Sequence, residues 1–128
     1  MTGTTTTLSQ PALCLDLKKN RIRIHKQTLH MLEDPEYIQL LVNPDKKLIA
    51  IRKSISKDHL AHRISLDNLS GNCYELYSRE LLDNLMKVES SLEWNQSYRI
   101  YGFLDSKAGV AQFRMNDCQL LEAVNENG

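Results

Sequence analysis

The sequence predicts an α+β protein in which duplicated β-α-β-β units form one small barrel or sandwich with two helices. Three observations lead there. Short runs alternate apolar and polar residues, the period of a half-buried strand, and they fall in pairs around turn residues. Two other segments, "KQTLHML" and "RELLDNLMKVESSLEW", space their leucines along one face of a helix. Finally, the two halves can be laid on one another. Ile22, Ile24 and Leu29 fall on Tyr74, Leu76 and Leu81 at a shift of 52 residues, and Tyr37, Lys46, Ile49 and Ala50 fall on Tyr98, Lys107, Val110 and Ala111 at a shift of 61. A chain of 128 residues suits one domain in which two half-modules complete a single core.

The elements follow in order. Residues 1–11, rich in threonine and ending at Pro11, read as a disordered lead-in to a single domain over 12–124. Its two repeats are expected at 12–56 and 72–116, joined by a linker at 57–71. Leu13, Leu15 and Leu17, then Ile22 and Ile24, alternate with polar neighbours on either side of "KKN", which is a hairpin pattern. Thr28, Leu29 and Leu32 line one side of a short helix that Pro35 ends, since the residue before a proline avoids the helical region. "YIQLLVNPDKKLIAIR" is strand, Asn-Pro-Asp turn and strand. The linker holds a possible short strand at "HRISL". "CYELYS" alternates again, Leu81, Leu82, Leu85 and Val88 define the second helix, and "SYRIYGFLDSKAGVAQFRM" reads as a hairpin around Asp105, Ser106 and Lys107. The last residues, "NDCQLLEAVNENG", are expected to make one helical turn.

Hydrophobic residues at 41% and charged residues at 25% exclude wholesale disorder. No run reaches the roughly 18 apolar residues of a membrane helix, and "MTGTTTTLSQP" has no signal-peptide core, so a cytoplasmic protein without membrane contact is expected. Cys14, Cys73 and Cys118 contain no CxxC pair and read as isolated thiols. His59 and His62 of "DHLAH" lack a further ligand at metal spacing and read as loop histidines, so no metal and no cofactor are expected. No P-loop, no G-x-S-x-G and no paired carboxylates beside a base are present, which points away from an enzyme.

The formal net charge is zero, yet residues 1–70 hold 11 Lys/Arg against 7 Asp/Glu and residues 71–128 hold 5 against 9. The densest cationic stretch is Lys18, Lys19, Arg21, Arg23, His25 and Lys26, six side chains within nine residues. On one strand face Arg21, Arg23 and His25 would stand roughly 6–7 Å apart, a spacing that suits phosphates, and a β-ribbon can enter a major groove. The same pattern suits a solvated face whose charges blunt an exposed sheet edge. Tyr37, Tyr74, Tyr77, Tyr98, Tyr101 and Trp94 could stack bases, although their alternation with apolar residues fits cross-strand packing better.

"RIRIHKQTLHML" followed by "YIQLLVNPDKKLIAI" resembles the swapped-hairpin β-barrel module of AbrB-type transcription factors and antitoxins, in the tandem arrangement of MraZ-like proteins. The resemblance implies a non-enzymatic transcription regulator that contacts duplex DNA through its basic N-terminal hairpin, with Arg21 matching the family's strand-start arginine. It also admits a homodimer. Asn20 stands where the family has Gly, His25 where it has Pro, and Leu29 where a DNA-contacting arginine is frequent. The alternative expectation is a protein-interaction or self-association module without nucleic acid, driven by the charge asymmetry of the halves.

Overall fold

The computed structural model describes residues 10–65, 67 and 69–121. The chain runs β1 (Ala12–Asp16), a 3-10 turn (Leu17–Lys19), β2 (Arg21–His25), α1 (Lys26–Met31), β3 (Tyr37–Asn43), β4 (Leu48–Ser54), β5 (His62–Arg63), β6 (Cys73–Tyr77), α2 (Arg79–Val88), β7 (Ser97–Tyr101), β8 (Phe103–Asp105), β9 (Val110–Arg114), a 3-10 turn (Met115–Asp117) and β10 (Gln119–Leu121). The strands form two antiparallel five-stranded sheets. Sheet A has the order β10-β7-β1-β2-β6, and sheet B has the order β5-β3-β4-β9-β8. This is the α+β architecture that the alternation and the two helical spacings imply.

Alternation places one face of each sheet in a shared core. Leu13, Leu15, Ile22 and Ile24 enter it from sheet A, and Ile38, Ile49, Ile51 and Phe113 from sheet B. The helices close the core with Leu29 and Leu32 at α1 and Leu82 and Leu85 at α2. Fully buried Thr28 of α1 is tied to β1: its hydroxyl donates to the Ala12 carbonyl at 3.0 Å and accepts from the Ala12 N–H at 2.8 Å. Ser78 caps α2 by accepting from the Leu81 N–H.

The repeat is present in the backbone, with a register that differs from the letter matches. Asn20 and Asn72 each precede a repeat strand, and both are left-handed, at φ 54° and 63°. Asn suits both positions, since after Gly it is among the residue types that adopt this conformation most readily. In the helices the buried counterpart of Leu29 is Leu82, at a shift of 53, rather than Leu81. In the hairpins Ile38, Ile49 and Ile51 correspond to Ile100, Ala111 and Phe113 at a shift of 62, all fully buried. The last loop residues, Lys47 and Gly109, share a positive φ at that same shift. The 61-residue match set buried Ile49 against half-buried Val110, which lies on the opposite sheet face. A one-residue slip inverts every strand side chain, so only burial fixes the register. The repeats join through counterpart strands, β2 with β6 and β4 with β9.

Two further expectations are corrected. The run Ser97 to Asp105 is two strands: β7 pairs with β1 in sheet A, and β8 pairs with β9 in sheet B. The change of sheet occurs at Gly102, whose N–H donates to the Pro11 carbonyl at 2.9 Å. After a single 3-10 turn, the C-terminal segment forms β10 rather than helix, because the outer edge of β7 offers it a ladder. Residues 1–9 and 122–128, part of the expected lead-in and the end of the expected domain, lie outside the described residues. In the linker, "HRISL" contributes the short strand β5 beside β3.

A Cβ at Gly102 would stand 2.0 Å from the Gln112 carbonyl oxygen and 2.7 Å from Phe113 Cδ2, so the backbone itself has to move to admit one. We expect Gly102→Ala to lower unfolding free energy by about 3 kcal/mol or more in urea denaturation, as overpacking against a rigid neighbour does. Gly109→Asn, which keeps the left-handed φ and meets only the flexible Lys53 side chain, should change it by less than about 1 kcal/mol.

Candidate nucleic-acid interface

The six cations that the sequence singles out lie around the outer face of sheet A. Ile22 and Ile24 turn inward, so Arg21, Arg23 and His25 turn outward. Lys18 and Lys19 are exposed on the turn at one end of the β1–β2 hairpin, and Lys26 begins α1 at the other. The hairpin itself is not at an edge. β7 pairs with β1 and β6 with β2, so β2 lies inside a five-stranded sheet. The edge-blunting role does not apply to it, and neither does the free two-stranded ribbon.

Two cross-strand rows give the face its chemistry. One runs Leu121, Ser97, Asp16, Arg21, Tyr77, and the next runs Gln119, Arg99, Cys14, Arg23, Glu75. Within them Arg21 Nε donates to Asp16 Oδ2 and Arg21 Nη1 to Glu75 Oε2, both at 2.8 Å. Ser97 donates to the other Asp16 oxygen at 3.0 Å, and the Tyr77 hydroxyl donates to Glu75 Oε1 at 3.0 Å. Arg23 Nε stands 3.2 Å from Glu75 Oε2, an ion pair at an angle that makes no hydrogen bond, while Arg23 Nη2 donates to the Ser70 carbonyl at 2.9 Å. These contacts tie β7, β1, β2 and β6 together, and the Arg21 side chain keeps only 15% of its exposure. Arg21 and Arg23 therefore work as cross-strand ties, neutralised by carboxylates of the same face.

Other cations remain available. Lys18, Lys19, Lys26 and Arg99 make no ion pair among the described residues. His25 is exposed, and its Nδ1 accepts from the Gln27 N–H at 3.1 Å. Arg99 was not in the sequence-predicted set. "SYRIY" places it opposite buried Ile100, but only the pairing of β7 with β1 brings it beside Cys14 and two strands from Arg23. It borders a cleft of about 360 Å³ with Gln10, Ala12, His25, Gln27 and Tyr101. Of the tyrosines, Tyr98 is buried and packs as expected, whereas Tyr77 and Tyr101 keep 62% and 40% of their exposure.

The remaining candidates separate from this face. The Cys14 thiol lies within it and is pushed up by burial and by the charge of Asp16, against the pull of Arg99 and Arg23. Cys73 and Cys118 are free thiols as well. His62 sits in β5, and the His59 carbonyl accepts from Gln39 Nε2 at 2.7 Å. Among the described residues no three His, Cys, Asp or Glu side chains converge as metal ligands. No helix among them is long and apolar enough to cross a membrane. No protein-family model, curated protein or solved structure matches the chain.

Burial alone would raise the Asp16 carboxyl, but hydrogen bonds from Arg21 and Ser97 and the charge of Arg21 outweigh it and hold the group below its ordinary value. Its stabilisation is therefore complete above the unfolded value near 4 and fades as pH falls through the lower folded value. We expect Asp16→Asn to cost about 2–4 kcal/mol at pH 7, since it leaves the half-buried Arg21 guanidinium one partner short. Urea denaturation between pH 7 and pH 2 should show the variant losing less stability than the parent below about pH 4.

Proposed function

We propose that the protein is a non-enzymatic DNA-binding regulator, as the AbrB resemblance implies, and that it meets nucleic acid with the outer face of sheet A. One observation carries the reading: Lys18, Lys19 and Lys26 border a face whose three arginines, Arg21, Arg23 and Arg99, outnumber its two carboxylates, and these lysines and Arg99 have no ion-pair partner among the described residues. Cations that hold no internal partner are free to displace counterions from phosphates. Arg21 supports the sheet in this reading, and the lysines and Arg99 make the contacts.

A second reading has its own observation. On the outer face of sheet B, Phe103, Gln112, Ala50 and Leu41 form one row across four strands, and Phe103 and Leu41 keep 50% and 41% of their exposure. Such a row suits association of two copies through apolar contact.

Fluorescence anisotropy with labelled DNA over a salt series tests the first reading. Lys18→Ala combined with Lys19→Ala should weaken binding and reduce the salt slope by about 2, while leaving the fold intact. Arg21→Ala should lower stability instead. A chain that binds no DNA at low salt, and that sediments as a salt-resistant dimer abolished by Phe103→Ser, would favour the second reading.

A further inference from the structure

The width of sheet A decides which form of nucleic acid its outer face can accept. Five strands set its outermost strands roughly 19 Å apart at ordinary inter-strand spacing, whereas the major groove of B-DNA is about 12 Å wide. The β1–β2 hairpin cannot enter that groove, because β7 and β6 flank it on either side. The face is instead a platform. On it Arg99 and Tyr101 are alternate residues of β7, so their side chains rise from the sheet side by side, roughly 6–7 Å apart.

We propose that the cleft bordered by Arg99, Tyr101, His25 and Gln27 is a binding site for single-stranded nucleic acid, with a base stacked on the Tyr101 ring and the adjoining phosphate on the Arg99 guanidinium. This inference rests on the nucleic-acid reading above and specifies its substrate. Three features suit it. Arg99 has no acidic partner among the described residues, so its guanidinium is not already neutralised. Tyr101 keeps 40% of its exposure although its neighbour Ile100 is fully buried, so its side chain stands on the solvent side of the strand, where an aromatic ring can take a stacked base. The Gln27 side chain beside it carries an amide donor and acceptor suited to base edges, while Gln10 Nε2 donates to the Gly102 carbonyl at 3.4 Å and borders the cleft.

The remainder of the face gives the strand a path. Tyr77 stands at the opposite corner, three strands and four residue positions from Tyr101, a diagonal of roughly 20 Å. Between them lie Cys14 and Arg23, while the Asp16 and Glu75 oxygens are already engaged by Arg21, Ser97 and Tyr77. Lys26 and His25 flank the Tyr101 end, and Lys18 and Lys19 extend from the turn at the other. A path of this length suits an oligonucleotide of about four nucleotides, the low end for single-strand-binding folds.

The full chain is titrated against labelled mixed-sequence oligomers of about 12 units, as single-stranded DNA, single-stranded RNA and duplex DNA, at one low salt concentration. Single strands should bind at least about tenfold more tightly than the duplex, and the DNA and RNA arms identify the natural source. Tyr101→Ala should weaken single-strand binding roughly tenfold and Tyr101→Phe should retain it, while Arg99→Ala should reduce the salt slope by about 1. Thermal melts check that these exposed substitutions leave the fold unchanged. Equal or tighter binding of the duplex, or binding that Tyr101→Ala does not alter, overturns the inference and leaves the nucleic-acid reading standing. Failure to bind any of the three oligomers overturns both.

Discussion

Arg21 stands between Asp16 on β1 and Glu75 on β6, 2.8 Å from each, and the arrangement of sheet A follows from that position. The half-buried guanidinium commits Nε to one carboxylate and Nη1 to the other, so the loss of either leaves a donor with less water than it has in the unfolded chain. The two carboxylates in turn recruit Ser97 and Tyr77, so one side chain fixes the lateral order of four strands. The inner face would accept many apolar combinations. The outer face accepts far fewer, because Asp16, Arg21, Arg23 and Glu75 each have an assigned partner there.

The same economy explains which cations are free. Glu75 already engages both Arg21 and Arg23, so the strand arginines are internally neutralised. Charge that can be offered to a partner is displaced to the rim, at Lys18, Lys19 and Lys26, and to Arg99 on the neighbouring strand. Gly102 follows three residues after Arg99. By admitting the chain where no Cβ fits, it lets β7 finish in sheet A and β8 begin in sheet B. The position of Arg99 thus depends on a glycine whose own carbonyl accepts from Gln10 Nε2 at the border of the proposed site.

How much of this could be read from the letters varies with the range of the interaction involved. The β1–β2 hairpin, both helices and the Asn43–Lys47 turn were legible because each rests on local alternation, capping or turn chemistry. The repeat was legible in order but not in register: matching Lys46 to Lys107 aligned identical letters, whereas the conformational equivalents are Lys47 and Gly109, which share a positive φ. The basic cluster was legible as composition. Its pairing was not, because Glu75 lies 54 residues from Arg21 and carries no local mark of that contact. Arg99 was hidden for the same reason, and Tyr101 was legible only as one of six aromatics able to stack bases, since β7 becomes a neighbour of β1 only through long-range pairing. Nothing in "NDCQLL" announces a strand, as β10 exists only because the edge of β7 is there to receive it.

The nucleic-acid site proposed for the outer face of sheet A lies away from the apolar row of sheet B. Amide NMR spectra of the labelled chain, recorded during titration with a short single-stranded oligonucleotide, test that placement most directly. Perturbations are expected to concentrate at Cys14, His25, Arg99 and Tyr101, with Leu41, Ala50 and Phe103 unchanged. Perturbations centred on Leu41, Ala50 and Phe103, or none at saturating oligonucleotide, would rule the placement out.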